Sequence, residues 1–197
     1  MKMIKFLFTV LFVAAIATVG LGQSITGSDH DFKSQTWSGG EICKACHTPH
    51  NAKAVTGAVL WNHRVSVATY TTYTSSTLNA TMGQPSGTSK LCLSCHDGTV
   101  ALQDFGSVTN GTTFITGEAN VGTDFTNDHP VSFTYDAALV TADGGLKAAT
   151  DVNVAKLLFS GKVECASCHD VHNSSGISKL LRVSNAGSAL CLTCHNK

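Results

Sequence analysis

Apolar residues are unevenly spread along this chain. Lys2 and Lys5 precede a run from Phe6 to Val19 that only Thr9 and Thr18 interrupt, and small residues Gly20 and Gly22 stand just ahead of Gln23. A positive start, a short apolar stretch and a small-residue cut site predict a secretory signal peptide over residues 1–22, removed on export. The stretch is shorter than the roughly 20 residues of a spanning helix, no cysteine lies near the cut to carry a lipid, and no later segment could cross a membrane. Beyond it, periodicity is weak. Val154, Leu157 and Leu158 behind Asp151 predict one short capped helix reaching Phe159. Residues 66–90 are rich in Ser and Thr and read as extended coil or a poor strand. Residues 106–128 carry scattered Gly, Asn and Asp and read as loop, and Pro49, Pro85 and Pro130 break helices. The expectation is mostly irregular coil with short α-helices, few or no strands, in a single domain over residues 23–197.

Composition sharpens this. After residue 22 only 37 of 175 residues are Leu, Ile, Val or Phe, about 21%, close to the roughly 20% below which chains tend not to fold. Something other than aliphatic side chains must fill the interior. Thirteen basic residues balance thirteen acidic ones, which gives no electrostatic footprint for nucleic acid.

The cysteines supply the missing material. All eight fall in four C-x-x-C-H motifs, Cys43–His47, Cys92–His96, Cys165–His169 and Cys191–His195. This is the attachment pattern of c-type haem. Two thiols on one side of a helical turn take the two vinyl groups, and the next residue, histidine, meets the iron. Cys43, Cys46, Cys92, Cys95, Cys165, Cys168, Cys191 and Cys194 are thus the covalent attachment points, with His47, His96, His169 and His195 as proximal ligands. A disulfide framework would not place His after every second pair, and zinc sites or redox dithiols do not use four such motifs with no cysteine left over. Four haems c in so short a chain make a compact fold in which porphyrin replaces the hydrophobic core, and the unloaded chain is expected not to fold.

Five histidines remain: His30, His50, His63, His129 and His172. Four irons need four distal ligands, so four of these five suffice to make every haem bis-His. Filled axial positions suit an electron carrier rather than an enzyme, and bis-His ligation implies low potentials. Met82 is the sole methionine after the leader and lies far from any inferred site. His50 and His172 each follow a proximal His by three residues, leave the same helical face, and therefore point to a neighbouring haem. The first and third motifs share this trailing His, while the second and fourth share Leu-Cys-Leu-x-Cys-His. The alternation suggests duplicated dihaem units, about residues 30–150 and 151–197. His63 is the least placed of the five. No nucleophilic triad, phosphate loop or HExxH is present.

The blocks Gly39–Cys43, Cys46–Asn51, Leu60–His63, Leu91–Gly98 and Glu164–Asp170 resemble the doubled-CxxCH multihaem cytochromes, with the greatest likeness to the tetrahaem OmcE-type extracellular cytochrome nanowires of metal-reducing bacteria. The likeness runs from about His30 to the C-terminus. It implies head-to-tail self-assembly into an extracellular filament that carries electrons through one continuous chain of haems to external acceptors such as metal oxides, with redox proteins as further partners. It also implies one distal His supplied by the neighbouring subunit. His30, on an N-terminal arm, is the first choice for that role, and the fourth haem, near the C-terminus, is expected at the periphery. Two alternatives stay open: a monomeric periplasmic tetrahaem shuttle, and a haem enzyme or its electron-donor subunit.

Overall fold

In the structure, a computed structural model, residues 25–196 are described; the signal-peptide expectation, residues 1–22, lies outside them. Proline and glycine punctuate the chain so closely that the helices stay short. α1, Gly87–His96, begins two residues after Pro85 and carries the second motif at its C-terminal end. Its buried face is Ser89, Leu93 and Ser94. α2, Ala137–Asp143, is capped by Asp136, whose Oδ1 accepts from Leu139 N at 2.9 Å. Gly144 closes it in the left-handed region (φ 70°). α4, Cys165–Cys168, and α5, Ala189–Cys194, hold the third and fourth motifs.

α3 covers Val152–Ala155 only. Asp151 caps it as the sequence suggests, accepting from Asn153 N at 2.8 Å and Val154 N at 3.4 Å. The helix stops well before Phe159, however. Ser160 (φ 51°) and Gly161 (φ 75°) both take positive φ, and Phe159 and Lys162 exchange backbone hydrogen bonds across them at 2.9 and 3.1 Å. A two-residue turn of this hand demands extended flanks, so Phe159 belongs to a hairpin rather than a helix.

That hairpin leads into β2, Lys162–Val163, which pairs antiparallel with β1, Phe133–Thr134, in the register Phe133↔Val163. Phe133 and Val163 face inward with Tyr135, Leu139 and Val154. Met82, Leu146, Leu158 and Cys194 pack against this cluster. A second, smaller cluster joins Tyr70, Leu93 and Phe125, the two rings 5.1 Å apart. The remainder is coil and single turns. The fold class is thus the expected one, an irregular chain with few short helices, although the two-residue strands do form a sheet.

Candidate haem-attachment and axial-ligand sites

Each motif is wound into one helical turn. The histidine N–H donates to the carbonyl of the first cysteine, four residues back, at 2.8 Å for His47→Cys43 and 3.0 Å for both His169→Cys165 and His195→Cys191. None of the eight cysteines is paired in a disulfide, which leaves every one available for a thioether. The proximal rings are then fixed by a second bond. His47 Nδ1 lies 2.7 Å from Val59 O, His96 Nδ1 2.7 Å from Ala119 O and His169 Nδ1 2.9 Å from Lys179 O. A carbonyl can only accept, so Nδ1 carries the proton and the lone pair sits on Nε2. That is the tautomer and orientation of a metal-ligating imidazole.

Three proximal rings face a second histidine. Ring centroids are 6.2 Å apart for His47 and His172, 5.9 Å for His96 and His30, and 6.4 Å for His195 and His129. An iron bound by two imidazole nitrogens at about 2 Å each sets the centroids about 6 Å apart. The residues therefore fit bis-His haem. His129 Nδ1 is also held by a carbonyl, Pro130 O at 2.9 Å. His30 has its Nδ1 buried without a hydrogen-bond partner, and burial first, then the neighbouring His96, lowers its pKa to about 4 against the pull of Asp29. His30 is thus neutral, as a ligand must be. The arm that carries it is folded onto its own chain.

His50 and His63 are the two without such a pairing. His50 is exposed. His63 is 1% exposed. Its Nδ1 lies 2.9 Å from Arg64 O, its Nε2 3.6 Å from Cys95 Sγ, and its ring meets Trp61 at 6.5 Å. Met82 is not remote, as its sequence setting suggests. It lines a small cavity with His129 and packs on the core cluster around Val154, which Cys194 also touches.

The surroundings of the first and third motifs repeat bond for bond. Thr48 N donates to Leu60 O and Asn62 N to Cys46 O, at 2.9 and 2.8 Å. Asp170 N donates to Leu180 O and Arg182 N to Cys168 O, at 2.7 and 2.9 Å. Asn51 and Asn173 share positive φ (55° and 56°), as do Leu60 and Leu180 (53° and 56°). The carbonyl holding the proximal ring comes twelve residues on in one copy and ten in the other. No motif marks these acceptors, since a backbone carbonyl is available at every residue.

The motifs adjoin in chain order. Burial pushes the Cys95 thiol up to about 12, with Cys46 of the first motif adding to it. Cys92 and Cys165, of the second and third motifs, share a hydrogen bond that raises the former thiol's pKa and lowers the latter's. Burial and then Cys194 raise Cys168, which brings the third motif to the fourth. Cys43 and Cys191, at the two ends of this succession, are exposed.

Residues 159–197, holding the third and fourth motifs, match the family described as the doubled CXXCH motif. No curated protein matches the chain. The family match supports a multihaem c-type cytochrome and electron transfer through covalently bound haem.

Proposed function

We propose that the chain binds four haems c, all bis-His, and passes electrons along them from the first motif to the fourth. The observation that carries this is the facing of three proximal imidazoles by a second imidazole at 5.9–6.4 Å. Haem supplies one-electron chemistry at iron; the protein attaches it, orients both axial rings and sets the spacing of neighbours. His172 serves the first haem, His30 the second and His129 the fourth. The repeat assigns His50 to the third: if His172 of the second copy meets His47 of the first, the equivalent residue, His50, is the partner for His169. His63 is then the surplus histidine. Axial positions filled on every iron favour a carrier over an enzyme.

The exposed ends of the succession suit transfer between copies. Exported and stacked head to tail, subunits would join the fourth haem of one to the first of the next, giving an open filament when rotation does not close it. External acceptors such as metal oxides, and redox proteins at the cell surface, would then be the partners. His30 is assigned within its own chain here, in place of the cross-subunit role that its position on an N-terminal arm suggests, and the junction rests on packing of the terminal haems.

Haem quantitation should return four per chain with low-spin signals only, and imaging of protein sheared from cells should show uniform filaments. In His30→Ala, one haem in four becomes high-spin while filaments persist. Loss of filaments in that variant would restore the cross-subunit ligand. Dispersed monomers of the wild type would favour the periplasmic shuttle, and a high-spin iron in the wild type would favour an enzyme.

A further inference from the structure

Glu164 is a carboxylate 2% exposed, set where the second and third motifs meet. Its Oε2 accepts from the Ser89 hydroxyl, from Ser132 Oγ at 2.8 Å and from Ser89 N at 3.4 Å. Both hydroxyls are themselves oriented. Ser89 Oγ accepts from Cys165 N at 2.9 Å, and Ser132 Oγ accepts from Ser86 N at 3.1 Å. The Ser89 hydroxyl then has its proton for Glu164, and the Ser132 hydroxyl, which also lies 3.4 Å from Ser86 O, makes its shorter contact to the carboxylate. Lys162 joins the same network only through Ser86 Oγ, at 3.3 Å, and no cation pairs with Glu164 among the described residues. An acid without a counter-ion is costly to bury; here it stands at two helix starts, as the N-cap residue of α4 and as an acceptor from Ser89 N in the first turn of α1, where the peptide dipoles favour negative charge.

Gly87 opens α1 against this group. A Cβ there would lie 2.9 Å from Glu164 Oε1, so the helix start is shaped to the carboxylate. One turn further along α1, Cys92 meets Cys165. The charge therefore stands beside the junction of two attachment points.

Resting on the tetrahaem reading above, we infer that Glu164 is a positioning residue whose fixed negative charge favours the ferric state at the second and third haems and so lowers their potentials relative to the terminal pair. Oxidation of each releases one electron to the titrating mediator, adds one positive charge at the iron and moves no proton. A unit charge in a poorly solvated setting biases such an equilibrium appreciably.

The test is a spectroelectrochemical titration of the fully loaded Glu164→Gln protein with low-potential dye mediators. Gln keeps the shape and one acceptor but removes the charge. At least one of the four one-electron components should rise by about 59 mV, a tenfold change in its equilibrium, with haem count and low-spin spectrum unchanged. Glu164→Asp, which keeps the charge, should stay close to the wild type. If Glu164→Gln does not accumulate, Ser132→Ala is read instead; with one donor removed the charge is less compensated and the same components should fall. Four haems with unmoved potentials would overturn the inference and leave the tetrahaem reading standing. Fewer than four haems in the wild type would overturn that reading itself.

Discussion

Tyr135 shows how much a single side chain holds in this fold. Its ring is 3% exposed, and its hydroxyl donates to Lys147 O at 2.8 Å and is within 3.3 Å of Cys194 O, tying the core to the fourth motif. Burial pushes its pKa up to about 12. The folded value lies above the unfolded value of about 10, so the contribution is fully present below pH 10 and is lost as pH rises toward 12. Denaturant unfolding of the loaded protein should show stability falling across that window. Tyr135→Phe should flatten part of the fall and cost about 1 kcal/mol at pH 7 by removing the hydroxyl's bond to Lys147 O, whereas Cys194 O keeps its bond from Lys147 N. The rest of the fall belongs to Tyr70, raised by burial and by its bond to Asp97. The candidate attachment cysteines and the motif histidines were legible because covalent attachment needs fixed residue types at fixed spacing. Val59, Ala119, Lys179 and Glu164 were not, since a carbonyl acceptor has no residue code and an acid's burial depends on what folds over it.

At the scale of elements, the turns around the first and third motifs are the informative pair. Their matching bonds and matching positive φ at Asn51 and Asn173 give physical form to the C-x-x-C-H-x-x-H pattern seen twice in the chain. The proposed exchange of distal ligands between these turns can be read by electron paramagnetic resonance. His172→Ala should turn one haem in four high-spin, His50→Ala a different one in four, and the double variant half of them. His63→Ala should leave all four low-spin. A high-spin haem in His63→Ala with none in His50→Ala would exchange the roles of these two residues. The periodicity near Asp151 foretold the cap but overran the helix, because Ser160 and Gly161 permit a tight hairpin that pairs Phe159 with Lys162. Local propensity gave way there to strand pairing.

At the scale of the molecule, the packed apolar clusters among the described residues are small: five buried residues around Val154 and three around Tyr70. So thin a core leaves much of the conformational entropy of folding to be offset by covalently attached porphyrin. A chain with all eight cysteines changed to serine should therefore lack cooperative thermal unfolding by circular dichroism, whereas the loaded protein should melt in one transition or resist melting. A sharp transition in the cysteine-free chain would show that the clusters suffice. What could be read without the fold was its class and its candidate chemistry: four C-x-x-C-H motifs, five further histidines and too little aliphatic material for an ordinary core. These are properties of residue type and short spacing, which survive without knowledge of the path between motifs. Which histidine faces which follows from the folded path of the chain. His30 meets His96 and His129 meets His195 across long stretches of coil, and such coil carries no periodic signal because its course is set by turns, caps and buried hydrogen bonds made with distant residues.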